Sequence, residues 1–305
     1  MRRLLALIAC LSLSACGTGT TAVRPTPTPC ELHLPAAPAP GQAPLAVLRD
    51  ISSGPSEYLL GSPGGAVLKI DVSTGSSPPQ LAGGSLFFSV RHGQVSSVYR
   101  GALGGCARRL AEGTLGNVEP GGRALTVLVG THWTMIDGQG RRLAAVTGAA
   151  GSWTADGRLI EPATAGVDIF DLSGKKRSIS LAAVAPLGSL GAHQELMSTA
   201  TGIQVLDIET GRLTPVNPAL PTVLRGGSGS PDGNHVAYLD QPGVGRVLDL
   251  QTGTSRPLPS PALTTGFTWS HDSRWIGVQT VYGGAELRLA DNVIVDSGSL
   301  VTVSW

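Results

Sequence analysis

Charge is scarce in this sequence and almost balanced. Charged residues fill only 14% of the 305 positions and the formal net charge is +1, which excludes the basic footprint of a nucleic-acid binder and leaves no acidic tail. Long apolar runs are missing as well. Beyond the N-terminus nothing approaches the roughly eighteen consecutive apolar residues of a membrane-spanning helix. Metal motifs are also absent. The six histidines, His33, His92, His132, His193, His235 and His271, show no His-Glu-x-x-His spacing and form no Cys/His cluster along the chain. Acidic residues stand singly instead of in the Asp-x-Asp-x-Asp-Gly order of a calcium loop. "GGSGS" (226–230) lacks the Lys-Ser/Thr that completes a phosphate-binding loop, and "GSGSP" (227–231) has Pro231 where a nucleophile elbow needs its second glycine. The glutamates are scattered, and no carboxylate pair for glycoside cleavage can be located. No metal, no cofactor and no catalytic residue are therefore expected.

What is present begins with "MRRLLALIACLSLSAC" (1–16): Arg2-Arg3, an apolar run from Leu4 to Leu13, then small residues before Cys16. This pattern is an export signal. Leu13-Ser14-Ala15-Cys16 resembles the lipobox of bacterial lipoproteins, which implies lipidation at Cys16, a membrane tether and an extracytoplasmic location. The other reading is an ordinary secretory signal cut near Ala15. Cys10 leaves with the signal, so Cys30 and Cys106 remain in a disulfide-permissive compartment, either bridged or as two thiols. Residues 17–44 are proline-rich, without hydrophobic periodicity, and read as a semi-extended tether.

From residue 45 the text repeats. "AVLKIDVSTG" (66–75), "WTMIDGQG" (133–140), "VDIFDLSG" (167–174), "IQVLDIETG" (203–211) and "GRVLDLQTG" (245–253) each run apolar residues into an Asp and close with glycine. A second marker precedes them: "EPGGR" (119–123), "TADGR" (154–158), "SPDGN" (230–234) and "HDSRW" (271–275), with "GAHQE" (191–195) as a weakened copy. Short apolar runs follow each marker, bounded by turn residues, and read as strands. Four antiparallel strands in about 40 residues form one blade of a β-propeller. The expected fold is all-β: seven four-stranded blades, six or eight being alternatives, with starts near 45, 82, 114, 149, 186, 222 and 263.

"SGSPDGNHVAYLD" (228–240) and "FTWSHDSRWIGVQT" (267–280) resemble the repeats of TolB-like and WD-repeat-like propellers, in which a Ser-Pro-Asp-Gly turn joins the innermost strand to the second. Three departures accompany the resemblance. Blade two lacks a recognisable first strand, His193 stands where a turn Asp belongs, and blade seven loses the Asp-x-x-Thr-Gly ending. The C-terminal "SLVTVSW" (299–305) is expected to close the ring beside "EYLLG" (57–61), with "LAVLRDI" (45–51) competing for that place.

In such blades the first and third turns fall on one end of the ring. The aspartates there, Asp71, Asp137, Asp156, Asp171, Asp207, Asp232, Asp249 and Asp272, are explained by turn chemistry alone. Function is therefore sought on the opposite end, where the loops "VRHGQ" (90–94) and "GTHWT" (130–134) of neighbouring blades bring Arg91, His92, His132 and Trp133 into one region, with burial of Trp133 between blades as the competing reading. The expectation is a monomeric binding module for an envelope protein, a peptide or a glycan. The second reading is a propeller hydrolase or lyase with residues converging on the central channel, and a third is a purely structural spacer.

Overall fold

The computed structural model describes residues 30, 32–34, 36, 46–50, 57–61, 68–71, 79–147, 151–182, 185–216, 225–240, 243–258, 264–270, 272–280, 284–288, 294–296 and 300–303. Among them every regular element is a strand, and the strands form seven antiparallel sheets. In chain order the sheets begin at Ala46, Gln80, Thr114, Ser152, Ala185, Arg225 and Thr264, within three residues of the starts expected from the repeats. We number them I to VII.

Sheet IV shows the common plan: Ser152–Trp153, Leu159–Ala163, Gly166–Phe170 and Lys176–Ser180 lie side by side in chain order. The first strands of sheets III to VII touch their neighbours in succession, which places them nearest the axis, and sheets VII and II each touch sheet I. The contacts thus run in a closed cycle.

The inner strands are apolar on both faces because they are covered on both, whereas an outer strand such as Lys176–Ser180 is mostly polar and exposed. In Ser85–His92, Phe87 points towards Leu115, Leu125 and Val127 of sheet III, whereas Leu86 and Phe88 pack with Tyr99, Ala107 and Leu34. In Leu159–Ala163 the adjacent residues Leu159 and Ile160 divide between Trp153, Met135 and Phe170 on one side and Met197, Leu206 and Ile208 on the other. This period-two alternation makes a sheet sandwiched between two others. A blade alone leaves both faces wet, so the core exists only between blades.

Two strands differ from the sequence expectation. Sheet II does have a first strand, Gln80–Ala82. It is three residues long, too short to show alternation, and it is fixed through Gln80, whose amide donates to the Gly116 carbonyl (2.7 Å) and accepts from the Val118 amide (2.8 Å) of sheet III. At the C-terminus, Leu300–Val303 pairs with Ala46–Asp50 and not with Glu57–Gly61; Ala46–Asp50 takes the place beside Glu57–Gly61. The last strand of the chain is therefore the innermost strand of sheet I.

Within the proline-rich stretch, Leu32–His33 adds a fifth strand to the outer edge of sheet II, pairing with Cys106–Glu112. Cys30 is bonded to Cys106 with Cα atoms 5.6 Å apart, inside the range that disulfide geometry requires. The bridge closes a 76-residue separation, for which removal costs about 2–4 kcal/mol. Reduction is expected to slow electrophoretic migration and lower the melting temperature; Cys30→Ser should show both changes without reductant. A wild type that migrates and melts alike with and without reductant contradicts the bridge.

Candidate functional site

In sheets III, IV, VI and VII the first turn is built by side chains, and its chemistry repeats. In sheet VI the Ser230 hydroxyl donates to Asp232 Oδ1 (2.5 Å) and accepts from the His235 amide (2.9 Å), while Asp232 Oδ1 accepts from the Asn234 amide (3.0 Å). Gly233 takes φ +78°, a conformation that glycine adopts without steric cost. Burial pushes the Asp232 carboxyl up, but the bonds from Ser230 and Asn234 outweigh it and hold the group below its ordinary range. Thr154 with Asp156, and Ser270 with Asp272, repeat the arrangement, and in sheet III Glu119 replaces the pair by accepting from the Arg123 amide (2.9 Å). The third turns use the same device: Asp137, Asp171, Asp207 and Asp249 each accept two backbone amides. These aspartates are folding groups.

The turns also join blades. Gly83 donates to the Pro120 carbonyl (3.0 Å), Gly191 to Ser230 (3.2 Å), and Asp232 to the Ser273 hydroxyl (3.0 Å). Ser273 stands where Gly122, Gly157 and Gly233 stand in the turns of sheets III, IV and VI, and carries φ +57°. The hydrogen bond to Asp232 compensates for that unfavourable backbone. His193, the substitute in the fifth turn, meets Arg158 Nη2 through Nδ1 (2.5 Å), and Arg158 also binds Asp156 (2.5 Å) and Glu209. The missing turn aspartate is thus replaced by a charged cluster between sheets IV and V.

At this same end a cavity of about 540 Å³ opens, lined from the first strands and first turns of sheets II, III, VI and VII. Four sheets on both sides of sheet I contribute, so the cavity lies at the mouth of the central channel and not in the seam between one pair of blades. Leu81, Val118, Pro120, Pro231, Trp269 and Trp275 give it an apolar wall, and Ser270 and Asp272 a polar margin. Trp269 is 8% exposed and its indole N–H donates to the Ser228 carbonyl (3.0 Å). A larger space of about 660 Å³ between sheets V and VI is lined by Asp207 and the turn residues Gln251 and Thr252, groups already engaged in holding the third turns.

The residues singled out from the sequence lie at the other end. Arg91 is exposed, with its Nε–H donating to the Gly93 carbonyl (2.8 Å), and the backbone of His92 pairs with Val95. His132 is exposed on the corresponding turn of sheet III. Trp133 is half-buried and packs with Met135, Val146 and Trp153, with its ring over Gly116, where an added Cβ would come within 2.6 Å of Cζ3. The alternation of Trp133 with buried Met135 was the sequence signal for this placement. Cys16 and His271 lie outside the described residues.

The sequence shows no Cys/His cluster along the chain, but the fold brings one together in space. Cys30, His33 and Cys106 bring their ligand atoms within 4.8 Å of one another; Cys106 is remote in sequence, but the Cys-x-x-His spacing of residues 30–33 was visible. One further group escaped the sequence reading. Glu195 of sheet V is fully buried, and its Oε1 accepts from the Ser152 hydroxyl (2.6 Å) of sheet IV and the Gly188 amide (3.0 Å). Burial pushes this carboxyl up to about 8 despite both hydrogen bonds.

The chain matches no protein-family model, and no curated protein is similar to it in sequence. Its structure is similar to the β-propeller domain of the Trilobed protease from Pyrococcus furiosus (TM-score 0.59, 12% identity, 82% of this chain and 92% of that one), a domain described as having an open velcro topology. It is also similar to an oligogalacturonate lyase in complex with manganese (TM-score 0.51, 14% identity, 86% and 85%). TolB from Acinetobacter baumannii aligns with a TM-score of 0.48 at 12% identity over 82% of this chain, which spans 62% of TolB. At such identities the likeness shows architecture alone. With its cycle of four-stranded antiparallel sheets and its repeated first turn, the chain is a β-propeller.

Proposed function

We propose that the protein is a binding module, held on the extracytoplasmic side of a membrane by a lipid on Cys16, that takes an apolar segment of an envelope protein into the channel mouth. The observation that carries this reading is the wall formed by Trp269, Trp275, Pro120 and Pro231, rimmed by Asp272. The half-buried Trp275 supplies rigid aromatic contact area at low entropic cost, and the buried Trp269 behind it backs the wall. Side chains from four sheets fix the recess in place, so little ordering is needed on binding. The exposed Arg91 and His132 at the opposite end form the alternative face. Among the described residues no helix is long and apolar enough to cross a membrane, and the lipid supplies the attachment.

Fractionation and capture test the two halves separately. Cys16→Ser should move the protein from the membrane to the soluble fraction; unchanged membrane association sinks the anchor. In pull-downs from envelope extract, Trp275→Ala should lose a partner that Arg91→Ala/His132→Ala retains. Recovery of that partner by Trp275→Ala, with loss in the Arg91/His132 variant, transfers the function to the other face.

A further inference from the structure

The strand Leu32–His33 presents its residues to opposite sides. Leu32 and buried Leu34 pack into the apolar cluster of sheet II, whereas His33 is exposed on the other face. Pairing sets His33 directly opposite Cys106, and side chains of such pairs share a face with Cβ atoms about 5 Å apart. Cys30 reaches the same point from three positions upstream. Two sulfurs and one imidazole nitrogen within 4.8 Å of one another are the soft donor set of a tetrahedral cation bound at roughly 2.0–2.3 Å from each ligand.

We propose that Cys30, His33 and Cys106 are a redox-gated cation site: closed while the disulfide stands, and, once reduced, a three-ligand site for one thiophilic divalent cation such as zinc, with its fourth position open to water. A dithiol supplies the two electrons and two protons that break the S–S bond, leaving two thiols on this chain and a disulfide in the reductant. The cation then displaces both thiol protons, forming two metal–thiolate bonds and one bond to the neutral imidazole. His33 and Cys106 are exposed, so reductant and cation reach the site without opening a blade. His33 and Cys106 are also held opposite each other by bonds other than the bridge, the two ladder pairs and the Leu34 N–H donating to the Gly105 carbonyl (2.9 Å). The inference is independent of what binds in the channel mouth.

The test is equilibrium dialysis of oxidised and reduced full chain against Zn²⁺, followed by metal analysis, with Co²⁺ as a spectroscopic substitute. One zinc per reduced chain, none on the oxidised chain, and a near-ultraviolet thiolate-to-cobalt band are expected. His33→Ala should weaken binding by more than the roughly tenfold that loss of an outer-shell partner costs. Cys30→Ser/Cys106→Ser, which removes the bridge and both thiolates together, should bind no zinc while keeping the β-sheet circular dichroism of the reduced wild type. Equal binding by oxidised and reduced protein, undiminished binding by His33→Ala, or loss of sheet structure on reduction overturns the proposal.

Discussion

Replacing Glu195 with glutamine is expected to stabilise the protein at pH 9 and leave it nearly unchanged at pH 5. Glu195 is enclosed between sheets IV and V, its Oε2 meets no hydrogen-bond partner, and burial raises the carboxyl from about 4.5 to about 8. A carboxyl whose folded pKa exceeds its unfolded value favours folding fully below the unfolded value, and that contribution is lost as pH rises through the folded one. The loss therefore runs from about pH 4.5 to about 8. A shift of this size corresponds to something on the order of 5 kcal/mol, or roughly 10 °C in melting temperature for a domain this large. Glutamine cannot ionise, and its carbonyl still accepts from Ser152 and Gly188. Below pH 4 the opposite limb appears in both proteins, because Asp137, Asp171, Asp207, Asp232 and Asp249 are held below their ordinary range by turn hydrogen bonds. Their stabilisation is present above the unfolded value and is lost as pH falls through the lowered ones. Thermal melts of both proteins at pH 5, 7 and 9 decide the matter. A wild type as stable at pH 9 as at pH 5, with Glu195→Gln tracking it, contradicts the buried ionisation.

Removal of residues 299–305 is expected to open the ring. Leu300–Val303 is the innermost strand of sheet I and also touches Trp275–Thr280 and Gly284–Arg288 of sheet VII. Without it Ala46–Asp50 becomes an unpaired edge, a template for association with other chains. The three paired positions, Ala46 with Val303, Val47 with Thr302 and Leu48 with Leu300, at about 1 kcal/mol per hydrogen bond, set a loss of roughly 3 kcal/mol before any packing between blades is counted. Against total stabilities of about 5–15 kcal/mol, such a change should lower the denaturation midpoint substantially and produce oligomers in size-exclusion chromatography. Added peptide SLVTVSW should restore the monomer. A truncated chain that stays monomeric with an unchanged midpoint shows that the strand does not close the ring.

The features legible in the sequence are those whose physics is local. Ser230, Asp232 and Gly233 encode their turn within five residues, and the third-turn aspartates do the same, so the period and the strand starts follow from reading along the chain. Gln80–Ala82 was hidden because three residues cannot display alternation and its fixing bonds come from Gly116 and Val118, far along the chain. The alternation of 299–305 marked a strand, but its partner depends on which of two early strands lies inward, a question of long-range packing. The channel mouth was missed for a related reason. Asp232 and Gly233 draw the eye and serve the turn and its link to the next blade, while Pro231 beside them, Pro120 three repeats earlier and Trp275 in the next repeat meet only when the ring closes. Trp133 carried two readings, an exposed anchor and a residue buried between blades; it is half-buried, packed on the same face as Met135 against the core.

A partner is expected to enter at the first-turn end of the channel. Photocrosslinking tests this, with p-benzoylphenylalanine placed singly at Leu81 or Pro231 near the mouth and at Gln94 or Thr131 on the opposite end. Irradiation in intact envelopes should give one adduct of discrete mass from Leu81 and Pro231 and none from Gln94 and Thr131. Adducts from Gln94 or Thr131 alone would contradict the account.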